Sequence, residues 1–182
     1  MTLTPIFLAA MLLLLGGCAT PLDTPDQQMA RTERLTAAII KLSPAVDRSE
    51  AHEFAQAAVE VSAELGRKYD VTLTPWLHNA SVIVGLKQRG LCYQYQEDLY
   101  DGLKPVHSEH LALHFIEANK GRLNEHHALA LVAKGAKWDS GLVLDAWRAN
   151  GNLYFGPLKT DKYPWLHEPL ADVDGEPAPS AP

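Results

Sequence analysis

The sequence predicts an α+β fold, with helices over residues 28–104 followed by an antiparallel sheet over about 110–156. Apolar residues recur every three or four positions up to Leu103, the period of a helix. After Pro105 the pattern changes to short apolar runs bounded by glycine, and Asn150-Gly151 is a strong hairpin signal. The 182 residues are 47% hydrophobic and 8% aromatic, which suits one packed domain. Sixteen Lys and Arg against 22 Asp and Glu leave a net charge of −6. Binding to nucleic-acid phosphates needs a basic face, so no nucleic-acid partner is expected.

The first helix is read over Met29–Leu42, with Leu35, Ile39 and Leu42 on one side and Ser43-Pro44 as its stop. The second opens with Asp47 and Glu50 at capping-box spacing. Phe54, Ala58, Val61 and Leu65 form its apolar face, and Gly66 to Asp70 end it. The third is read over Thr74–Lys87, with Pro75 in the first turn and Leu77, Ser81, Val84 and Leu86 buried; its β-branched residues also allow a strand. Tyr95, Leu99 and Leu103 keep helical spacing after Gly90-Leu91-Cys92, so Cys92 stands at or near a helix start. Strands are expected over 111–117, 126–133, 142–147 and 152–155.

Before the domain, Ile6 to Leu15 are ten apolar residues, half the length needed to span a bilayer and the right length for a secretion signal. They end in Leu15-Gly16-Gly17-Cys18, which resembles the lipobox of bacterial lipoproteins. The resemblance implies a signal peptide over 1–17 and a lipid on Cys18, the chain's link to membrane lipid. A tether over 18–27, a domain over 28–171 and a disordered, proline-rich tail over 172–182 would follow. Ala19 rather than Asp after the cysteine implies the periplasmic face of the outer membrane.

With Cys18 acylated, Cys92 is the only thiol and has no disulfide partner. A lone cysteine is either buried in a core or used. A helix N-terminus favours thiolate, since the helix dipole and free N–H groups lower the thiol pKa. A nucleophilic thiol needs a base, and the base needs an orienting group. Glu125-His126-His127 opens one expected strand and Leu144-Asp145-Ala146-Trp147 lies in the next, which can set an imidazole beside a carboxylate. A lone Asp in a run this apolar needs a partner, because burying it unpaired costs several kcal/mol.

Gly90-Leu91-Cys92, the His-His-Ala strand entry and Leu-Asp-Ala-Trp together resemble the transglutaminase-like branch of the papain-like cysteine fold. The resemblance covers residues 90 to about 155 and implies a Cys92 helix packed on a sheet whose neighbouring strands carry His and Asp. It implies thiol chemistry on amide bonds, by hydrolysis or acyl transfer, with envelope proteins or peptidoglycan peptides as substrates. Where the family has His-Ala-Trp and Asp-Pro, this chain has His127-Ala128-Leu129 and Asp145-Ala146. Adjacent strand residues point to opposite faces, so one histidine serves as base. His126 shares its face with Ala128 and Ala130, small residues that leave room for an overlying helix; His127 shares its face with Leu129 and Leu131, and is the alternative. A binding or assembly lipoprotein with a residual triad is the rival reading.

His107, His110 and His114 are spaced like helical metal ligands but fall in or beside a strand, so neither a metal nor another cofactor is expected. Trp138, Trp147 and Trp165 suit either a cleft or a core, and Tyr93, Tyr95 and Tyr100 suit packing. The Cys92 backbone N–H, or the Gln94 amide, could donate to an oxyanion.

Overall fold

A computed structural model of the chain describes residues 20–168, so the expected signal peptide, Cys18 and the expected tail lie outside the described residues. Helix α1 (Pro25–Ile39) starts four residues before the expected Met29 and takes in the end of the expected tether. Thr24 and Gln27 form a capping box there, and Pro25 stands in the first turn, where its missing N–H is not needed. Helix α2 (Arg48–Lys68) starts where Asp47 accepts from the Glu50 N–H at 2.9 Å. The Glu50 carboxylate does not complete the box. It accepts from Ser108 Oγ at 2.7 Å and the His110 N–H at 2.9 Å, joining α2 to the entry of the sheet.

Helix α3 (Pro75–Ile83) is shorter than expected. Gly85 takes φ +79, and the N–H groups of Leu86 and Lys87 turn back to the Ser81 carbonyl. Its buried residues are His78 and Ser81, whereas Leu77, Val84 and Leu86 are exposed, contrary to the apolar spacing. Helix α4 (Cys92–Leu103) has Cys92 as its first residue.

Strands β1 (Leu111–Ala118), β2 (His126–Ala133), β3 (Leu142–Asp145), β4 (Tyr154–Pro157) and β5 (Leu166–Glu168) form one antiparallel sheet in the order β4-β3-β2-β1-β5. The expected two-residue hairpin at Asn150-Gly151 is instead an eight-residue loop, since Asp145 pairs with Tyr154. Asn150 and Gly151 have the positive φ their types allow, +56 and +91. β3 ends early because Asp145 accepts from the Arg148 N–H at 2.9 Å, which turns the chain. β5, pairing with β1 along Phe115 to Glu117, extends the sheet beyond its expected limit.

Both faces of the sheet are covered. Leu129, Leu131, Leu142 and Leu144 meet α1, α2 and α4 in the main core. Burying each such leucine contributes about 1.5–3 kcal/mol. Ile116, Ala118, Ala128, Ala130 and Val143 on the other face lie under Leu158 and Trp165. The alanine face therefore leaves room for an irregular segment, residues 158–165, and α4 packs on the leucine face.

Candidate functional site

The chain before Cys92 is shaped by Gly90. Its φ is +124, and a Cβ there would stand 2.2 Å from His78 Nε2. That nitrogen donates to the Arg89 carbonyl at 3.0 Å. Gln94 then reaches back from the first turn of α4, its Oε1 accepting from the Gly90 and Leu91 N–H groups at 2.8 and 3.1 Å. The Gln94 oxygen is thus used in capping the helix, while its Nε2 lies 3.5 Å from the Tyr93 hydroxyl. Gln96, fully within the core, donates to the Ile116 and Ala128 carbonyls at 3.1 and 2.6 Å and fastens α4 to β1 and β2.

These contacts hold Cys92 at the end of the sheet where β2 begins. Its Sγ lies 3.9 Å from the Glu125 carbonyl oxygen. Burial pushes the thiol up to about 11, against the opposing pull of the His127 and Tyr93 backbone N–H groups. The expectation of a resting thiolate is therefore corrected. The helix N-terminus is present, but desolvation outweighs it and the resting thiol keeps its proton.

Asp145 pairs with His126, with Nε2 and Oδ2 2.6 Å apart. The register Leu129↔Leu144, continued by one residue, puts Asp145 across from Ala128 and on the His126 face. Burial alone would push the Asp145 carboxyl up, but the His126 and Arg148 charges and hydrogen bonds outweigh it and hold it below the usual range. An ionised carboxylate only accepts, so Nε2 carries the proton and a neutral ring presents a bare Nδ1. That Nδ1 is buried and has no hydrogen-bond partner among the described residues. The ring is held by Tyr163, Trp147 and Trp165, with centroids at 4.5, 4.8 and 5.5 Å.

Around this pair lies a layer the sequence reading did not include. Arg148 Nε donates to Asp145 at 2.9 Å, and its two terminal nitrogens donate to Asp161 at 2.8 and 3.2 Å. The guanidinium lies 3.9 Å above the Tyr154 ring. Asp161 also accepts from the Tyr163 N–H and from Trp165 Nε1, which seats those two rings over His126. Arg148 stands three residues after Asp145, a spacing that was readable; nothing local marks Asp161. His78 was signalled only through Gly90.

His127 points to the other face, with Nε2 at 3.0 Å from Glu125 and Nδ1 at 3.4 Å from Glu168. Glu117, His127 and Glu168 have ligand atoms within 4.8 Å of one another. Glu117 is also paired with Lys120 at 2.9 Å, so the group is satisfied as a polar network. His110 pairs with Glu50 and His114 with His167, so the spaced histidines do not converge. Trp138 and Trp165 line an open groove of about 750 Å³ beside residues 158–165, while Trp147 lies against His126. Cys92, His126 and Asp145 are not among that groove's lining residues.

In chemical terms, a buried thiol lies at the Glu125 carbonyl and the His127 N–H, on either side of a histidine whose Nε2 is fixed by a carboxylate and whose buried Nδ1 has no hydrogen-bond partner among the described residues, the Cys92 sulfur included. No family model, curated protein or solved structure matches this chain.

Proposed function

We propose that this chain is a lipid-anchored protein of the bacterial envelope whose transglutaminase-like, papain-related domain uses Cys92, His126 and Asp145 on amide bonds. The observation that carries the reading is the state of His126: Nε2 is held by Asp145, Nδ1 is bare, and the Cys92 thiol lies against the adjoining backbone. In this scheme Nδ1 takes the thiol proton as sulfur attacks the amide carbonyl. The oxyanion is met by the Cys92 backbone N–H at the head of α4. The imidazolium returns the proton to the leaving amine, and a thioester remains on Cys92. Water drawn to the same imidazole then gives the acid, or an amine gives a new amide.

The charge inventory supports this role. Asp145, Arg148 and Asp161 sum to one net negative charge around the ring, so a proton taken from the thiol leaves this buried group without net charge. Envelope proteins and peptidoglycan peptides are the substrates within reach of a chain anchored through Cys18.

A non-catalytic envelope lipoprotein is favoured by one observation, the burial that raises the Cys92 thiol. Incubation with an envelope extract and mass spectrometry of the Cys92 peptide separates the two. The catalytic reading expects a covalent acyl adduct on Cys92 that is lost in His126→Ala and kept in His127→Ala. An unmodified thiol in the wild type, with both variants indistinguishable from it, would assign the binding role.

A further inference from the structure

Helix α3 is amphipathic in the wrong sense for a core helix. His78 and Ser81, three residues apart, face inward. Trp76, Ile83 and Val84 face outward on the opposite side, and Leu86 continues this surface in the following turn. They are exposed by 54, 76, 68 and 79% respectively, and Leu77 by 42%. Single exposed leucines are common, but five large apolar residues within eleven positions make a patch.

The same stretch is free of acid. From Val71 to Gln96 there is no Asp or Glu, in a chain that has 22 of them. The charged residues within it are Lys87 and Arg89. Lys87 pairs with Asp70 and Arg89 with Asp98, just outside the stretch, so the surface is carried by Trp76 and the aliphatic side chains, a composition that sits in a headgroup layer.

The position of this patch is tied to the start of the described chain by one loop. Asn152 donates to the Pro21 carbonyl at 2.8 Å and accepts from the Asp23 N–H at 2.7 Å. Two residues earlier, Asn150 donates to the Leu73 carbonyl, just ahead of α3, at 3.2 Å. Trp147 Nε1 donates to Asn79 within α3 at 2.9 Å. Cys18 is three residues from Pro21, a span of at most about 11 Å. A lipid on Cys18 thus brings the bilayer surface to the side of the domain from which α3 projects.

We infer that the exposed face of α3 and its following turn, Trp76 to Leu86, rests on the phospholipid headgroup surface, so that the domain is held by the anchor and this face together. The inference rests on the reading of Cys18 as the lipid site. The anchor alone leaves the domain free to swing on its tether, and a second contact gives it one orientation. Trp76 packs edge-on against Trp147, whose other side meets His126, so the contact lies beside the candidate site.

The test uses the full chain in vesicles of phosphatidylethanolamine and phosphatidylglycerol, part of the lipid being brominated. The Trp76 contribution is the difference between wild type and Trp76→Phe. The expected result is quenching of that contribution by about half or more, reduced about threefold or more by Ile83→Glu/Val84→Glu. Leu86→Glu, in the exposed turn, gives the same direction without disturbing the helix. Acylated protein whose Trp76 contribution is unquenched overturns the inference and leaves the anchor reading in place. A Cys18 peptide without acyl mass overturns the anchor reading and this inference with it. A dimer that dissociates on Ile83→Glu, with no quenching, would assign the face to a second copy and overturn the inference.

Discussion

His78 fills the space that a side chain at residue 90 would need: a Cβ there would stand 2.2 Å from its Nε2 and 2.7 Å from its Cδ2. The residue two places before Cys92 is therefore set by a histidine twelve positions upstream.

Gly90→Ala is expected to destabilise the domain by about 2–4 kcal/mol, combining the left-handed φ with overpacking against the ring. Urea unfolding measures this directly. His78→Ala placed in the Gly90→Ala background should recover part of the loss, because it removes the clash and leaves only the backbone strain. Equal midpoints for Gly90→Ala and wild type would show that the close approach does not constrain the chain.

Asp145→Asn should keep the fold and lower acyl transfer from p-nitrophenyl acetate to Cys92 by at least about 100-fold. The amide can donate to Nε2, which favours the tautomer with its proton on Nδ1, the nitrogen that must be bare. Full activity in a variant with unchanged circular dichroism would remove Asp145 from the mechanism.

The pH profile of Cys92 alkylation by iodoacetamide should separate two routes. Burial raises the thiol to about 11, so in His126→Ala only direct ionisation remains and the rate should climb about tenfold per pH unit toward that value. The wild type should add a component at neutral pH carried by the imidazole, and the two profiles should converge above about pH 10. Coincident profiles at pH 7 would exclude His126 as the base.

Arg148→Met leaves Asp145 and Asp161 buried without their shared cation, with an expected cost of about 3–5 kcal/mol at pH 7. The sign of its pH dependence follows from the wild type, where both carboxyls are held below their ordinary values. Depressed groups contribute stability above the unfolded pKa that is lost as pH falls. Without Arg148 that lowering is weakened, and the variant loses less stability than the wild type as pH falls. The gap between the two proteins should therefore narrow between pH 7 and pH 4 in denaturant titrations. A constant gap would mean that Arg148 acts by packing alone.

What was legible from residues alone was local. Asp47 marks a helix start by short-range chemistry, and the alternation in β2 separates His126 from His127 without any tertiary knowledge. What failed was inference from apolarity to burial. Leu77, Val84 and Leu86 have core spacing yet face outward, because the inward side of α3 is taken by a histidine pressed on a glycine. Ala128 and Ala130, small residues that suit an overlying helix, lie instead under residues 158–165. Asp161 was out of reach because its partners, Arg148 and Trp165, meet it only through a loop closed by the whole sheet.

The two hydrogen bonds between Asn152 and the segment Pro21–Asp23 join residues 131 and 129 positions apart, and Arg31 bonds the Leu153 carbonyl across 122. Closing a loop of that length costs about 4 kcal/mol in chain entropy. It also sets an order of events. At about 5–20 residues per second, synthesis needs roughly 6–26 seconds after Pro21 is made before Asn152 exists. Through that interval α1 can already pack on α2, but Pro21, Asp23 and Arg31 lack these partners, so the segment ahead of α1 is among the last to dock. Chains stopped short of residue 152 should accordingly leave that segment open to proteases that the finished protein resists.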